Sequence, residues 1–229
     1  MEYELTLVSV SELAKDVKCF RLTRPKNLSY QAGHYFILKL DNTLMKPFSF
    51  SSSPTEEGYI EFTTRISDSD YKKALNSLSV GGKVTLSGPM GSFAYNPSFK
   101  KLAFLAGGIG ITPFRSMCKY LTDTKADCDV VLIWGNRTEE DIIFRKDFEE
   151  MMTSNPKLKV VHVLSQPSKE WPGLKGRINT ETILAKTPDY KDRTFYLCGP
   201  PKMVEAMEEM LAGLGVKTDN IVVERFRGY

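Results

Sequence analysis

The sequence predicts two domains, an antiparallel β-barrel or sandwich followed by a doubly wound α/β domain, and a change of pattern near Pro97 indicates both. Before this point, short runs alternate apolar and polar residues and are separated by glycine- and proline-rich turns, as in antiparallel sheets. After it, near-continuous apolar runs alternate with stretches of helical period, as in parallel sheets buried on both faces. We therefore expect one domain over residues 1–97 and a second over residues 98–229.

The strands of the first domain are predicted from runs with a period of two. In CFRLTR this period turns Phe20 and Leu22 to one side, and YIEFTTR and KVTLSG show the same alternation. Glycine pairs and Gly-Pro steps between the runs are turn signals. These features are typical of a sheet with one buried face.

The second domain is predicted to contain five parallel strands with helices between them. The apolar runs are KLAFLA, DVVLIW, KVVHVL, TFYLC and NIVVE. Helical period is clearest over residues 113–122, 139–152 and 201–213, and it is weaker over 179–185. This alternation predicts a doubly wound five-stranded sheet with helices on both faces.

The composition and the N-terminal segment exclude several classes of protein. A net charge of +3 is too small to indicate nucleic-acid binding, and no window approaches the roughly 18 apolar residues of a membrane span. The segment MEYELTLVSV lacks the pattern of a signal peptide. The four cysteines stand far apart without a C-x-x-C pair, which argues against a zinc or iron–sulfur site. We therefore expect a cytoplasmic protein with reduced thiols, no bound metal, and no nucleic-acid or membrane partner.

The segment LAGGIGITPFRSM, residues 105–117, follows the first strand of the second domain and predicts a phosphate-binding turn. It begins like the fingerprint G-x-G-x-x-G with Gly108 and Gly110, but Pro113 stands at the third glycine position. Thr112 is a good N-cap, and proline fits the first helical position. The free N–H groups of that helical turn would face a pyrophosphate, although a tight turn without a ligand fits the same residues.

Four further segments carry signals that are weak one by one. They are KPFSFSSSP at 46–54, SGPMGSF at 87–93, YLCGPPKM at 196–203 and VVERFRGY at 222–229. Each alone also fits a surface loop, a turn, a buried structural cysteine or a frayed end. In this order, on a barrel followed by an α/β domain, the five segments resemble the ferredoxin–NADP reductase family in its compact bacterial and archaeal form. The resemblance covers essentially the whole chain.

The resemblance implies a Greek-key barrel that binds a flavin, a nicotinamide dinucleotide on the second domain, and hydride transfer between them. The family's flavin motif R-x-[YF]-S matches Lys46-Pro47-Phe48-Ser49. By that match Lys46 would contact the flavin phosphates, Phe48 would pack on the flavin, and the Ser49 hydroxyl would lie near flavin N5. Lysine replaces the usual arginine, and Lys72 stands where the family has serine, so that two point charges face the phosphates.

The other segments match further parts of the family's site. The flavin-bordering turn GPxGxF matches Gly88, Pro89, Gly91, Ser92 and Phe93. The nicotinamide-dinucleotide site matches Gly108, Gly110, Thr112, Pro113, Cys198, Gly199 and Pro200. Glu224 and Phe226 match the family's carboxylate and flavin-covering aromatic, and Tyr229 would stack on adenine. The resemblance thus implies catalytic positions at Ser49, Cys198, Glu224 and Phe226.

The aromatic tail and a basic segment bear on the identity of both cofactors. Aromatic residues able to cover an adenine favour FAD, with FMN as the alternative. Arg137 and Arg145 follow the second strand of the α/β domain without an acidic residue directly after it, which favours NADPH. The same arginines are compatible with NADH or with a solvated helix face.

The function that the resemblance implies is that of an FAD-dependent NAD(P)H oxidoreductase. It would pass electrons to a carrier such as ferredoxin, flavodoxin or an oxygenase component. Two alternatives are a flavin reductase that releases reduced flavin and an electron-transfer subunit of a larger oxygenase or dehydrogenase complex. In all three, the main requirement is to hold two flat rings about 3–3.5 Å apart.

Overall fold

The computed structural model describes residues 1–226 and contains two six-stranded sheets. The first sheet is antiparallel and consists of β1 (Glu2–Ala14), β2 (Val17–Thr23), β3 (Tyr35–Lys39), β4 (Met45–Ser49), β5 (Tyr59–Arg65) and β6 (Lys83–Met90). The strand order is β4-β3-β6-β1-β2-β5, so β6 returns to lie between β1 and β3, a connection of Greek-key type. The two edges meet where the Ser51 amide donates to the Glu61 carbonyl of β5 at 2.8 Å. The sheet thus closes into the predicted barrel.

Aromatic rings fill the interior of the barrel. Phe20 on β2 faces Phe62 on β5 with ring centroids 5.0 Å apart, and Phe36 on β3 packs on Phe50 at 4.6 Å. All four side chains are buried. The alternation of the strands is therefore the result of packing one face of each strand against this core. The barrel's one helix among residues 1–97, α1 (Asp70–Ser77), follows β5.

The second sheet is parallel throughout and confirms the predicted doubly wound class. It consists of β7 (Lys101–Gly107), β8 (Asp129–Asn136), β9 (Leu158–Leu164), β10 (Leu174–Lys175), β11 (Thr194–Gly199) and β12 (Ile221–Arg225), in the order β10-β9-β8-β7-β11-β12. The predicted number of five strands is wrong, because β10 adds a sixth. Its two residues are too few to form an apolar run.

Helices cover both faces of the parallel sheet. They are α2 (Thr112–Asp123), α3 (Arg145–Ser154), α4 (Thr180–Lys186) and α5 (Pro201–Gly213). Phe114 of α2 and Phe148 of α3 belong to the core on one face, whereas Ile183 of α4 and Val204 of α5 belong to the core on the other. The helix predicted over residues 139–152 is interrupted, because Phe144 adopts a left-handed conformation with φ 55° just before α3.

The two halves contact each other directly. The Phe93 ring lies in the core of the second half, 5.6 Å from Phe114 and 5.3 Å from Tyr196. The Tyr196 hydroxyl donates to the Ala94 carbonyl at 2.9 Å. The segment after β6 therefore fastens the barrel to the parallel sheet. Within residues 1–226, no helix has the length and apolarity needed to cross a membrane.

Candidate functional site

A cleft of about 260 Å³ lies between the two halves and has walls from both. The barrel contributes Tyr35, Pro47, Phe48, Ser49 and Thr63, and the second half contributes Thr112, Glu224, Arg225 and Phe226. The structure thus brings three segments that the sequence singled out, from β4, the start of α2 and β12, into one place. These segments lie far apart along the chain.

The end of β4 forms the barrel wall of the cleft. Phe48 is 4% exposed and packs against Phe62 and Tyr71 with centroids 4.7 and 5.9 Å away. Ser49 follows it and is also buried, whereas Lys46 and Pro47 are exposed. The strand therefore presents its buried end to the cleft and its basic end to solvent.

A buried lysine lies behind Phe48. Lys72, on α1, is 6% exposed; its amine donates to the Thr64 hydroxyl and lies 4.7 Å from the centroid of the Phe48 ring. Burial, together with the positive charge of Lys46, lowers the pKa of this amine to about 7. A phosphate here would stabilise the charged form of Lys72, so this wall fits the anionic part of a flavin nucleotide.

The turn after β6 packs against Tyr35 of the cleft, but its residues Gly91 and Ser92 line a separate cavity. Gly91 has φ +103°, and a Cβ at this position would lie 2.8 Å from the Tyr35 ring, which lines the cleft. Glycine is therefore required for the turn to approach this wall. Ser92 is exposed, and Pro89 is half-buried. Phe93 contributes its side chain to the contact between the halves described above, and a flavin contact by this ring stays a prediction.

The opposite wall begins at α2, and the cap differs by one residue from the prediction. A 3₁₀ turn over Gly108–Ile111 precedes the helix, and Ile111 occupies the N-cap position. Thr112 is the first helical residue, and its hydroxyl donates to the Ile109 carbonyl at 3.3 Å. Pro113 is thus the second helical residue. Proline is tolerated there because that N–H has no intrahelical partner.

The glycine turn and the end of β11 touch through their backbones. A Cβ at Gly110 would lie 2.4 Å from the Cys198 carbonyl oxygen, and one at Gly199 would lie 3.2 Å from Gly107. Pro200 comes next and lines the neighbouring cavity. The residues predicted to bind a dinucleotide are therefore held together by close backbone contacts, but only some are accessible: Gly108 and Pro200 line the neighbouring cavity, whereas Gly110, Pro113, Cys198 and Gly199 are buried.

The catalytic candidates of the second half differ in accessibility. The Cys198 side chain is completely buried, and burial, followed by the negative charge of Glu224, raises the pKa of its thiol. Glu224 lines the cleft, and burial raises the pKa of its carboxyl. Phe226 lines the cleft while its amide donates to the Gly199 carbonyl at 3.0 Å. Tyr229 lies outside the described residues.

Two connected cavities continue from the glycine turn along the carboxyl edge of the parallel sheet. The first, about 490 Å³, is lined by Gly108, Arg137 and Pro200 and by Arg65 of the barrel. The second, about 450 Å³, shares Gly135, Asn136, Pro200 and Met203 with the first. Their position fits a dinucleotide that lies across the ends of the strands.

The basic residues of these cavities are only partly the predicted ones. Arg137 lines the first cavity, whereas Arg145 forms an ion pair with Glu149 on the exposed side of α3. Arg177 and Lys202 line the second cavity, together with Ser165. Neither cation is among the predicted site residues: Arg177 lies in a loop without a motif, and Lys202 lies in the first turn of α5, inside the segment YLCGPPKM.

Two further residues support the glycine turn or lie close to it. The buried Trp134 indole donates to the Gly108 carbonyl at 3.1 Å and so fixes the turn from below. Asn136 is buried, and its side-chain amide has no hydrogen-bond partner among the described residues. Both residues could have been singled out from the sequence, because they lie at the carboxyl end of a predicted parallel strand, where ligands bind.

The described residues also bear on the expected absence of metal. Among them, no cluster of three or more histidine, cysteine, aspartate or glutamate side chains could hold a metal ion. Cys19, Cys118, Cys128 and Cys198 are all buried and free of disulfides.

Two family models match the chain, one on each half. Residues 4–95 match the oxidoreductase FAD-binding domain, and residues 104–209 match the oxidoreductase NAD-binding domain. The cofactors are therefore FAD and a nicotinamide dinucleotide, NADH or NADPH. Lys72 behind Phe48 and the glycine turn beside Tyr35 fit this flavin nucleotide.

Relatives and solved structures agree with these models. The chain is 33% identical over 216 residues to NADH-cytochrome b5 reductase 1 of Dictyostelium discoideum, covering 90% of this chain and 76% of that protein. It is 31% identical over 208 residues to one component of the Na(+)-translocating NADH-quinone reductase of Pseudomonas aeruginosa, covering 84% of this chain and 51%, about half, of that protein. The cytochrome b5 reductase domain of Ulva prolifera nitrate reductase has the same fold, with a TM-score of 0.88 at 22% identity over 98% of this chain and 97% of that one.

The fold, the cleft with walls from both halves and the two matched models lead to one assignment. The resemblance noted in the sequence is thereby confirmed. The chain belongs to the ferredoxin reductase-type FAD/NAD-binding family and is a flavin-dependent NAD(P)H oxidoreductase.

Proposed function

We propose that this chain passes hydride from NADPH or NADH to FAD within the cleft between its halves, and then passes single electrons to a carrier protein. The observation that carries the proposal is the composition of the cleft, where Phe48 and Ser49 of the barrel face Thr112, Glu224 and Phe226 of the second half. Two flat rings bound to opposite walls would meet there. The chemistry supplied by bound FAD is acceptance of a hydride and release of two electrons one at a time.

The barrel residues would hold the flavin. Phe48 provides an apolar face, and the Ser49 hydroxyl provides a hydrogen bond at the wall where hydride arrives. Lys46 and Lys72 would bind phosphate oxygens: Lys46 is exposed on β4, and Lys72 is buried behind Phe48. Gly88 and Pro89, at the end of β6, and the Gly91-Ser92 turn that follows would border the ring system. We place the boundary of this domain at residue 97, shortly after the segment that fastens the halves together.

The second half would hold the nicotinamide dinucleotide. Gly108, Gly110, Thr112 and Pro113 hold the pyrophosphate side, and Cys198, Gly199 and Pro200 support the nicotinamide through their backbone. The Glu224 carboxyl is a candidate proton holder because burial raises its pKa. Phe226 covers the flavin until the nicotinamide enters. Residues 98–229 form this domain.

The acceptor is proposed to be a carrier protein that takes one electron at a time. The names of the relatives include a reductase of cytochrome b5 and a component of a quinone reductase. A ferredoxin, a flavodoxin or an oxygenase component likewise accepts single electrons. Free flavin as acceptor, or a fixed place in a larger complex, is the alternative. The four buried free thiols support a location in the cytoplasm.

One set of assays tests this proposal. The purified protein is examined for the visible spectrum of bound flavin, and oxidation of NADPH and NADH is followed with ferredoxin, flavodoxin and free flavin. We expect a yellow protein that reduces at least one carrier protein. A colourless protein that reduces only free flavin would instead be a flavin reductase, and a yellow protein inactive with every soluble acceptor would belong to a larger complex.

A further inference from the structure

Arg115, on α2, is a buried cation that lies where the two halves meet. Only 5% of the residue is exposed, although arginine is rarely this buried without partners. It lies three positions after Thr112, on the helix that begins at the dinucleotide turn. Its location between the flavin wall and the dinucleotide wall makes its partners informative.

Four hydrogen bonds and one further ion-pair contact surround the Arg115 guanidinium. Nη1 contacts Glu56 Oε2 at 2.6 Å and the Ser51 carbonyl at 2.9 Å. Nη2 contacts Glu56 Oε1 at 3.1 Å and Asp147 Oδ2 at 2.8 Å, and Nε donates to the same Asp147 oxygen at 2.9 Å. A lysine, with three donors on one nitrogen, could not fill this arrangement.

Arg115 and its partners belong to three different segments. Ser51 and Glu56 lie in the barrel turn that directly follows Ser49. Asp147 lies in the first turn of α3, which follows the loop with Arg137. Arg115 itself belongs to α2. One side chain therefore joins the flavin segment, the dinucleotide helix and the loop that lines the dinucleotide cavity.

Two neighbouring contacts strengthen this junction. The Ser116 hydroxyl donates to the Ser52 carbonyl at 2.7 Å, again between α2 and the barrel turn. Phe144, held in its left-handed conformation, lies with its ring 5.5 Å from the Arg115 guanidinium. A non-glycine residue keeps such a conformation only where its surroundings hold it.

Burial alone would lower the pKa of the guanidinium, but its hydrogen bonds to Glu56 and the negative charges around it raise that pKa. The pKa of the Glu56 carboxyl is held below its usual value because the Arg115 contacts outweigh burial. The pair is thus charged throughout the neutral range. Such a buried pair adds little net stability, but it fixes geometry, since any other arrangement leaves a charge buried and unpaired.

We propose that Arg115 is a positioning residue, which holds the barrel turn 51–56, α2 and the segment 137–147 in one arrangement and thereby sets the distance between the flavin and the nicotinamide. This inference rests on the proposed function of the cleft. Arg115 touches neither wall of the cleft itself, so it acts through the segments that it joins.

The molecule contains a matched control for this inference. Arg193 is 6% exposed and likewise contacts two carboxylates and a carbonyl, those of Asp189, Asp129 and Leu102. All three partners belong to the second half, at the amino edge of its sheet, opposite the dinucleotide cavities. Arg193→Met therefore removes a similar buried ion without touching the junction.

The experiment compares Arg115→Met with Arg193→Met in the flavin-loaded full chain. We expect Tm to fall by about 5–15 °C in both variants. At saturating NAD(P)H, flavin reduction followed by anaerobic stopped flow should slow about 10- to 100-fold in Arg115→Met, with flavin occupancy retained. In Arg193→Met it should stay within about twofold of the unmodified protein. Arg115→Lys should restore the rate only in part.

If Arg115→Met does not fold, Glu56→Gln is the second test variant, because glutamine has the same shape as glutamate but lacks its negative charge. In its flavin-free form, amide hydrogen exchange should accelerate over residues 51–56 and 142–147 and stay unchanged around Asp189. Equal rates of flavin reduction in Arg115→Met and Arg193→Met, or unchanged exchange in Glu56→Gln, would overturn the inference. Failure of NADPH and NADH to reduce the unmodified protein would instead overturn the proposed function.

Discussion

The two walls of the cleft are built from different materials. The barrel wall consists of buried side chains, among them Phe48 and a lysine, Lys72, whose pKa is lowered by burial. The opposite wall presents Thr112, Glu224, Arg225 and Phe226 and is supported by close backbone contacts, where Gly110 and Gly199 bring two strand ends together. The barrel wall, with the buried amine of Lys72 behind it, is stabilised by an anionic cofactor that remains bound. The backbone around Gly110 and Gly199 is closely packed and needs no rearrangement, which suits a ligand that binds and dissociates in each turnover. The difference thus matches a resident flavin on one side and an exchanging dinucleotide on the other.

The largest effect is expected from Gly110→Ala, which disturbs only the backbone contacts on the dinucleotide side. The new Cβ would lie 2.4 Å from the Cys198 carbonyl oxygen, so the ends of β7 and β11 must separate. We expect unfolding free energy to fall by about 2–3 kcal/mol and NAD(P)H oxidation to fall about 100-fold. Flavin should remain bound. Gly213→Ala, at a position with open space, is the control and should change stability by less than about 1 kcal/mol. Loss of flavin together with activity would show that the walls are not independent.

Lys72→Met changes only the barrel side of the cleft. Methionine can fill the space beside Phe48 but cannot bind phosphate, so the dissociation constant of FAD should rise about 10- to 100-fold. Binding of ADP-ribose, which tests the other wall, should not change. Lys73→Met removes an exposed charge from the adjacent position and is the control. Titration calorimetry with the flavin-free protein measures all of these, and equal effects of the two lysines would contradict a specific role for Lys72.

The pH dependence of flavin binding sharpens the same contrast. The Lys72 amine has a pKa of about 7 in the flavin-free protein, well below the ordinary 10.5, so it is neutral at pH 9. FAD affinity should therefore be greatest below pH 7 and fall as pH rises through 7–9. Over the window from 7 to 10.5 the unfolded chain binds more protons at this group than the folded one, so its contribution to flavin-free stability rises with pH. Both slopes should disappear in Lys72→Met, and ADP-ribose binding should not follow them.

The smallest effect is expected from Arg137→Ala. Arg137 lines the dinucleotide cavity, and we expect its loss to weaken NADPH about 5- to 10-fold relative to NADH, as for loss of a charged hydrogen bond at an open site. Arg145→Ala is the control, since that side chain is paired with Glu149 on an exposed helix face. The ratio of kcat/KM values for the two dinucleotides measures the effect. An unchanged ratio would assign the choice to Arg177 and Lys202 instead.

The sequence predicted the parts of the molecule that local pattern determines. Apolar periodicity placed most of the strands, although not β1 and β4, and the order of the two halves, because burial of one or both strand faces shapes the sequence residue by residue. The glycine turn before Pro113 was predictable, because backbone approach and helix initiation require particular residue types. The two-residue β10 was missed, because pairing with β9 and not its own pattern makes it a strand.

The features that escaped prediction depend on contacts between distant residues. Arg115 and Glu56 are 59 positions apart, and nothing near either residue shows that they meet. The left-handed Phe144 that interrupts the predicted helix is imposed by its surroundings, since aromatic residues disfavour that conformation. The low pKa of Lys72 likewise arises from the packing of α1 behind β4 and not from its neighbours in sequence.

The four buried cysteines can be used to follow local unfolding of this protein. One of them, Cys19, belongs to the barrel, whereas the remaining three are distributed through the α/β half. An alkylating reagent can reach each sulfur only after the surrounding layer opens. The sequence in which the four become labelled under rising denaturant would therefore reveal which half gives way first, without any added probe.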